Sequence, residues 1–324
     1  KITGDASIQK RPMKRVISPL SEMGAKISGV ESKGDILPPL DISPADKITG
    51  INYDLPVASA QVKSAILLAG LFSVEDIQVN SPAPCRDHTE RMMAHFSVPI
   101  DYTETQATIR GPRELKAPSD TLVIPSDVSS SLFFIVLALL TKGARFATIG
   151  INESRIAAVT ALQAAGADIE IQADTAAFEP TADIIVGPSQ LKDFVLDGDC
   201  IPNLIDEIPI LSVAAMAAGV SIRVKDAEDL RVKESDRIEG VARLARAMGA
   251  DIEVYEDGFY IPADQHLSDF EYDAFGDHRL AMSAIIIATA KGLSAKVSGC
   301  HSIATSFPNF FDILSEQSIQ YEFK

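Results

Sequence analysis

The segment Arg231–Arg237, with the sequence RVKESDR, contains cations and carboxylates at close spacing. If Lys233 and Arg237 were both helical, they would share one face and could grip a single anion. Glu234, between them, is a candidate general acid or base, because a carboxyl group can exchange a proton with a bound substrate. The alternative is an array of surface ion pairs in the first turn of a helix. The motif therefore indicates acid–base chemistry beside an anion, with a structural array as the other interpretation.

A second candidate carboxylate, Asp206, lies among apolar residues directly before a predicted helix. Such an aspartate either caps the helix or accepts a proton or hydrogen bond from a substrate hydroxyl. At another predicted helix start, Ser59 is an ordinary cap residue and Gln61, in the first turn, can donate to an anion. These residues favour ligand binding at helix starts.

Cations occur at four predicted helix starts, where the helix dipole disfavours them by about 0.3–1 kcal/mol each. They belong to Arg11, Arg86, the segment Arg231–Arg237, and Arg279. Acids that could cap these helices and neutralise the cations are Asp87, Glu234, Asp236 and Asp277, with Asp87 and Glu90 in a capping-box-like spacing. Local capping does not explain why every one of these starts carries a cation, whereas a bound anion does. We therefore expect several helix starts to converge on a multiply anionic small molecule.

The composition argues against several classes of function. The 324 residues include 29 Lys and Arg against 45 Asp and Glu, a net charge of −16, which disfavours general binding to nucleic acids or anionic membranes. The longest apolar run, Leu132–Leu140, is too short to span a bilayer. Three distant cysteines and histidines without HExxH spacing predict neither a disulfide framework nor a metal site, and a reducing compartment is expected. There is no P-loop and no GxGxxG fingerprint, so scattered helix ends would have to build any phosphate site.

One sequence pattern recurs along the chain and indicates the helices that position these residues. Polar residues are followed by a stretch with apolar residues at helical spacing and then by a glycine, which predicts a capped helix. The pattern occurs at residues 12–24, 59–70, 129–143, 152–166, 209–219, 235–249 and 278–292. After Gly24, Gly166 and Gly249 the chain continues with Ala and an alternating polar–apolar run, which predicts a tight turn and a strand. The sequence therefore predicts an α/β protein that repeats a helix–turn–strand unit.

The length suggests two domains at roughly 150 residues each. We place the boundary at a predicted strand end, which gives lobes of residues 1–125 and 126–324. The stretches Leu132–Leu140 and Ile285–Ala288 are apolar nearly all round, so they should lie inside their lobe.

Seven motifs together resemble the family of 5-enolpyruvylshikimate-3-phosphate synthases, also called 3-phosphoshikimate 1-carboxyvinyltransferases. The motifs are residues 4–13, 58–65 (ASAQVKSA), 86–90 (RDHTE), 205–209 (IDEIP), 231–237 (RVKESDR), 277–282 (DHRLAM) and 304–308 (ATSFP). They occur in the family's order over essentially the whole chain, and RVKESDR with DHRxAM is highly specific. The SAQ and RDHTE spellings resemble the bacterial class II subgroup.

The resemblance implies a two-lobed, inside-out α/β barrel built from βαβαββ units, with helix N-termini that face a cleft between the lobes. It implies transfer of the enolpyruvyl group of phosphoenolpyruvate to the 5-hydroxyl of shikimate 3-phosphate, with release of phosphate. This step of the shikimate pathway, the glyphosate target, proceeds by addition and elimination through a tetrahedral intermediate. The family needs neither a metal nor an organic cofactor.

Roles for individual residues also follow from the resemblance. Asp206 would accept the proton of the attacking hydroxyl, and Glu234 would protonate the methylene carbon and later remove a proton. Lys233 would contact the attacked hydroxyl and stabilise developing charge. Contacts with phosphoenolpyruvate are implied for Arg11, Arg237 and Arg279, and contacts with shikimate 3-phosphate for Ser59, Ala60, Gln61 and Arg86, with Gln61 touching both ligands.

Two departures from the family pattern stand out. Thr305 occupies a position where many relatives have Lys. The chain is also expected to lack the family's N-terminal segment, with its Lys-Ser pair and Gly-rich loop. As partners we expect the two small-molecule substrates, with no nucleic acid and no membrane, for a cytoplasmic monomer.

Three other hypotheses stay open at this point. The sister enolpyruvyl transferase that acts on UDP-N-acetylglucosamine shares the fold and phosphoenolpyruvate, although RVKESDR and the SAQ motif favour shikimate 3-phosphate. A non-catalytic fragment would bind phosphorylated ligands without turnover. A structural α/β repeat scaffold would bind none of them.

Overall fold

A computed structural model gives the structure of the protein and describes residues 1–5, 8–111, 114–119, 121–174, 178–317 and 319–323. The chain forms two compact units, Lys1–Ile124 and Pro125–Lys324. The elements of the first unit are α1 (Lys14–Glu22), β1 (Lys26–Ser32), β2 (Asp35–Ser43), β3 (Ile51–Asp54), α2 (Ala60–Gly70), β4 (Ile77–Asn80), α3 (His88–His95), β5 (Ile100–Tyr102) and β6 (Gln106–Ile109).

The second unit contains two long series of alternating helices and strands and ends with a shorter series of two strands and three helices. Its elements are α4 (Val128–Leu140), β7 (Ala144–Gly150), α5 (Ala157–Ala164), β8 (Ile169–Asp174), β9 (Thr181–Val186), β10 (Phe194–Leu196), α6 (Ile201–Leu204), α7 (Ile208–Ala218), β11 (Ile222–Val224), α8 (Arg237–Ala247), β12 (Glu253–Val254), β13 (Phe259–Ile261), β14 (Phe270–Asp273), α9 (His278–Lys291), β15 (Ala295–Ser298), α10 (Ile303–Ser306) and α11 (Phe310–Glu316).

The sheets repeat one topology. In the order β3-β4-β6-β5 the first pair is parallel and the other two pairs are antiparallel, and β10-β11-β13-β12 repeats this arrangement. The sheet β7-β9-β8 is antiparallel, and Ser126 makes a single parallel bridge to Ile149 of β7 in place of a first strand. The described residues therefore include three βαβαββ repeats, at about residues 51–109, 126–186 and 194–261, and the predicted α/β class with this repeat is confirmed.

The turn between helix and strand is the same in three places. Gly24, Gly166 and Gly249 have φ values of +100°, +92° and +86°, a region that favours glycine. The alanine after each glycine donates its N–H to the carbonyl five residues earlier, in the pairs Ala25–Leu20, Ala167–Leu162 and Ala250–Ala245. These bonds form the Schellman cap that ends a helix and reverses the chain. The strand predicted after Gly249 is confirmed but short, because only Glu253–Val254 pairs with β13.

The core of the second unit forms around three helices that have almost no polar face. Residues 132–139 of α4 and 208–217 of α7 are buried, and both helices pack against α9. This confirms the predicted interior position of Leu132–Leu140, apart from partly buried Leu140 at its end. In α9, Ile286 and Ile287 are buried, whereas Ile285 and Ala288 are half-buried. A separate core in the first unit includes Ile66, Leu67 and their neighbours on β4 and β6.

Candidate active site

Arg237 is the centre of a charged cluster in the second unit. Its side chain is 1% exposed and meets three carboxylates. Nε donates to Asp277 Oδ2 at 2.9 Å, Nη1 to Asp206 Oδ1 at 2.9 Å, and Nη2 to Glu234 Oε2 at 2.6 Å. Burial alone would lower the pKa of this guanidinium, but the three carboxylates outweigh burial and raise the pKa. One buried cation therefore holds acids from three separate segments of the chain.

Helix capping determines how the segments of this cluster begin. Asp236 caps α8, since its Oδ1 accepts from the backbone N–H three residues later at 3.0 Å. Asp277 caps α9, where its Oδ1 accepts from the N–H of Arg279 at 3.0 Å. The second oxygen of Asp277 accepts from Arg237 and, at 3.0 Å, from the hydroxyl of Ser235. Asp277 thus links the starts of α8 and α9. The sequence indicated only its role as a helix cap.

Asp206 lies between α6 and α7, and cations surround its carboxylate. Lys233 Nζ is 3.8 Å from Oδ1 and Arg279 Nη2 is 3.9 Å from Oδ2, in addition to the bond from Arg237. Burial alone would raise the pKa of Asp206, but the charges of Arg279, Lys233 and Arg237 outweigh it and hold the pKa below its usual value. The side chain is 31% exposed, so an ionised acceptor remains reachable from solvent.

Lys233 and Arg237 do not meet the condition for a shared helical face, because Lys233 is not helical. A 3-10 turn, Glu228–Val232, ends just before Lys233, which is extended, and α8 begins only at Arg237. The two cations nevertheless meet on one group, because both contact Asp206. Their convergence comes from tertiary structure rather than from a spacing of four residues.

Arg231 belongs to the fold rather than to an anion site. Its Nη2 and Nε donate to the carbonyl oxygens of Tyr255 and Glu256, each at 2.6 Å, and its Nη1 donates to Asp236 at 2.8 Å. The guanidinium therefore fastens the loop before α8 to the β12–β13 hairpin. The expectation that cations at helix starts mark a ligand does not hold for this residue.

The residues predicted to touch shikimate 3-phosphate lie in the first unit, at the starts of two helices. Ser59 caps α2 as predicted, because its hydroxyl accepts from the backbone N–H three residues later at 3.4 Å. Ala60 is the first residue of α2, and Gln61 in the same turn is exposed. Arg86 is exposed just before α3, and Arg11 is exposed before α1. Their contacts with substrate stay predictions.

The capping box predicted at the start of α3 does not form. Asp87 makes no side-chain cap bond and instead accepts from Arg91 Nε at 2.8 Å. Glu90 is fully buried and forms an ion pair with Lys63, whose side chain is 3% exposed. The acid at the third position of the helix is therefore used for a contact with α2, which local sequence could not reveal.

Each complete repeat joins the start of its first helix to the start of its second through an ion pair. The pairs are Lys63–Glu90, Asp127–Arg155 at 2.5 Å, and Asp206–Arg237 at 2.9 Å. In the second and third repeats the carboxylate lies just before the first helix and the cation lies at or just before the start of the second, whereas in the first repeat the signs are reversed. Sequence reasoning missed Lys63, Asp127 and Arg155, although an alignment of the repeats by their helix starts would have found them.

A small polar cavity of about 210 Å³ lies beside Arg279. It is lined by Asp127, Ser129, Ser130, Phe133, His278, Arg279, Met282 and Ser306. Burial, assisted by the charge of Arg279, lowers the pKa of His278. Buried Glu207, which the sequence analysis missed, accepts from Arg279 Nη1 at 3.3 Å and adds a second carboxylate to this guanidinium. The only sequence feature that pointed to Glu207 was its position directly after Asp206.

Three further properties concern the described part of the chain. It holds no group of three or more His, Cys, Asp or Glu side chains placed to bind a metal ion. None of the helices within those same ranges has the length and apolar character needed to cross a membrane. Cys85, Cys200 and Cys300 are free thiols.

Comparison with known proteins gives consistent matches. The family described as EPSP synthase (3-phosphoshikimate 1-carboxyvinyltransferase) matches residues 1–314. The 3-phosphoshikimate 1-carboxyvinyltransferase of Coxiella burnetii is 41% identical over 318 residues, which are 97% of this chain and 71% of that protein. The Geobacter sulfurreducens enzyme of the same name is 40% identical over 323 residues, 98% of this chain and 74% of that protein.

Solved structures agree with these sequence matches. A structure of EPSP synthase from Acinetobacter baumannii superposes with a TM-score of 0.85 at 39% identity, covering 97% of this chain and 72% of that one. The enolpyruvyl transferase NikO from Streptomyces tendae gives a TM-score of 0.70 at 14% identity, which shows a common fold. The chain therefore belongs to the EPSP synthase (3-phosphoshikimate 1-carboxyvinyltransferase) family.

Proposed function

We propose that the protein transfers the enolpyruvyl group of phosphoenolpyruvate to the 5-hydroxyl of shikimate 3-phosphate and releases phosphate. Family membership supports this reaction over the alternatives. The structural observation that carries the proposal is the sharing of one buried guanidinium, Arg237, by two accessible carboxylates, Asp206 and Glu234. An addition–elimination reaction needs two acid–base groups at fixed separation, and this arrangement supplies them.

Asp206 takes the proton of the attacking hydroxyl in this proposal. In the free protein the charges of Arg279, Lys233 and Arg237 depress its pKa, which makes it a weak base. Bound phosphate and carboxylate groups would neutralise part of that charge and raise the basicity of Asp206. Substrate binding would thus activate the base only when phosphoenolpyruvate is in place.

Glu234 acts on the carbon side of the reaction. It protonates the methylene carbon of phosphoenolpyruvate during addition, and its carboxylate removes a proton from the resulting methyl group when phosphate leaves. Its side chain is 34% exposed at the edge of the cluster, and the bond from Arg237 Nη2 directs one oxygen. This exposure makes the Glu234 carboxylate reachable for proton transfer.

The cations divide into a buried one and two accessible ones. Lys233 and Arg279 are 28% and 16% exposed and lie within 4 Å of Asp206, so they are suited to meet phosphate or carboxylate oxygens and developing charge. Arg237 already donates to three protein carboxylates. Its assignment as a phosphoenolpyruvate contact therefore requires one of these bonds to be exchanged for a bond to the ligand.

The first unit supplies the remaining contacts in the proposal. Arg86 and the first turn of α2, with Ser59, Ala60 and Gln61, would bind shikimate 3-phosphate through donors at exposed helix starts. Arg11 would bind phosphoenolpyruvate. We propose that residues 1–125 and 126–324 belong to the first and second lobes of a cytoplasmic, monomeric enzyme, and the free cysteines are compatible with a reducing compartment.

The direct test is phosphate release with phosphoenolpyruvate and each acceptor in turn. Turnover with shikimate 3-phosphate, loss of turnover in Glu234→Gln, and no turnover with UDP-N-acetylglucosamine are expected. Thermal shift with shikimate 3-phosphate separates the other outcomes, because a bound ligand stabilises the fold by mass action. Stabilisation without turnover would identify a binding protein. If shikimate 3-phosphate neither stabilises the protein nor is turned over, the structural scaffold is the remaining hypothesis.

A further inference from the structure

The buried ion pair between Lys63 and Glu90 takes no part in the chemistry proposed above. Both side chains are almost completely buried, at 3% and 0% exposure. Desolvation of two charges cancels most of their attraction, and well-packed apolar residues often replace such a pair without loss of stability. A contribution to stability therefore does not account for the pair. Its position between two helix starts offers another explanation.

The pair connects the first turns of α2 and α3. The backbone N–H of Lys63 donates to the carbonyl of Ser59 at 3.0 Å, so the ammonium group extends from the turn that carries Gln61. Glu90 is the third residue of α3. Lys63 Nζ also lies 3.5 Å from the carbonyl oxygen of Cys85, immediately before Arg86.

A second contact runs beside the first. Ser64 Oγ and Thr89 Oγ1, the neighbours of the two charged residues, form a hydrogen bond at 2.6 Å. Two adjacent contacts between the same helix turns resist both sliding and rotation of α2 against α3. They hold the segment that contains Arg86 at a set position from Ser59 and Gln61.

The third repeat shows what this place in the fold is used for. The equivalent contact there is Asp206–Arg237, in which the same pair of helix starts holds the proposed catalytic carboxylates. The first repeat keeps the contact between helix starts but buries both charges. Glu90 also gives up the capping box that its position in α3 would favour, and such a local exception is expected where geometry serves a site.

We propose that Lys63 and Glu90, assisted by Ser64 and Thr89, are positioning residues that set the separation between Arg86 and the first turn of α2, and thereby the affinity for shikimate 3-phosphate. This inference rests on the proposed function, since the ligand is the acceptor substrate named there. Lys63 and Glu90 act through the residues they position and touch no substrate.

The main test replaces both charges by apolar residues of similar size, in Lys63→Met/Glu90→Leu. The melting temperature should stay close to that of the wild type, while the KM and the calorimetric Kd for shikimate 3-phosphate rise about ten- to hundredfold. The kcat should change less than the KM. The matched control is Lys47→Met, which removes an exposed Lys–Glu pair of the same unit at 2.7 Å and should leave the kinetics unchanged.

A milder variant, Ser64→Ala/Thr89→Val, removes the neighbouring hydrogen bond and should raise the same Kd about two- to tenfold. If the apolar variant does not fold, this milder variant tests whether the contacts between α2 and α3 set the affinity for shikimate 3-phosphate. Unchanged affinity in a folded variant, with an active wild type, would overturn this inference and leave the proposed function intact. A wild-type chain that neither binds shikimate 3-phosphate nor releases phosphate would overturn the proposed function and this inference together.

Discussion

The first and third repeats place a charged cluster at the same point between two helix starts, but they use the charge differently. In the first repeat, Lys63 and Glu90 are both buried and neutralise each other. In the third, Arg237 is just as deeply buried, yet Asp206 and Glu234 remain about one-third exposed. The partly exposed cations Lys233 and Arg279 also lie within 4 Å of Asp206.

This difference separates a structural use of charge from a chemical one. A pair of opposite charges that excludes water fixes the distance between two helices and offers nothing to a ligand. A buried cation that holds several acids fixes the same distance, and here it leaves two of the three carboxylates, Asp206 and Glu234, partly exposed. The exposure of the carboxylates therefore distinguishes the two clusters, and the predictions below test that distinction.

The largest effect is expected when Glu234 loses its charge. Glu234→Gln should lower kcat by about 10²–10⁴-fold, because the amide cannot exchange a proton with the substrate. The free energy of unfolding should change by less than about 1 kcal/mol, because the amide oxygen can still accept from Arg237. Phosphate release and urea unfolding measure the two quantities. Glu239→Gln, on the exposed side of α8, is the control, and a folded Glu234→Gln protein with wild-type kcat would contradict the catalytic role.

The same change in the first repeat should lower the free energy of unfolding by more than Glu234→Gln does, in addition to any effect on the affinity for shikimate 3-phosphate. Glu90→Gln leaves the Lys63 ammonium group buried without a counter-charge, which should cost about 3–5 kcal/mol in the free energy of unfolding. The exposed pair Lys296–Glu271 provides the comparison, since Glu271→Gln should cost less than about 1 kcal/mol. Urea unfolding of both variants is the measurement. Equal losses in the two would show that burial does not distinguish these ion pairs.

The helix caps of the two clusters should differ by a smaller amount. Asp236→Ala removes both a formed cap of α8 and an ion pair with Arg231, and the loss of the cap alone should cost about 0.5–2 kcal/mol. Asp87→Ala removes an ion pair with Arg91 four residues later on α3 rather than a formed cap, and the loss of that pair should cost about 0.5 kcal/mol. Chemical denaturation of both variants tests the contrast. A larger loss for Asp87→Ala would mean that this carboxylate caps α3 in solution.

The smallest expected effect is the acid dependence of the cluster around Asp206. The folded pKa lies below the unfolded value of about 3.9, so the stabilisation is complete above the unfolded pKa and is lost as the pH falls through the folded pKa. The loss should stay below about 1 kcal/mol, because the group is partly exposed. The stability difference between wild type and Asp206→Asn should narrow as the pH falls from 6 to 3. A difference that stays constant would exclude Asp206 as the titrating group.

Local features of the site were predictable from sequence. Ser59 caps α2 and the Gly-Ala turns end their helices, because both depend on residues within one helical turn of each other. The predictions failed where a distant group competed for the same side chain. Glu90 has a capping-box-like spacing from Asp87 but pairs with Lys63, and Lys233 is not helical, so it does not share a helical face with Arg237.

The amino-acid sequence by itself determined the repeated helix–turn–strand units, the helix caps and the motifs that identify the family, since each rests on contacts between near neighbours or on residue identity. Only the tertiary structure decided which cation meets which carboxylate. Arg237 is 31 residues from Asp206 and 40 residues from Asp277, and these side chains meet because the repeat folds successive helix starts side by side. Charge alone would permit many pairings of these cations and carboxylates. The order of the strands determines which helix starts are neighbours, and therefore which of the charged side chains meet.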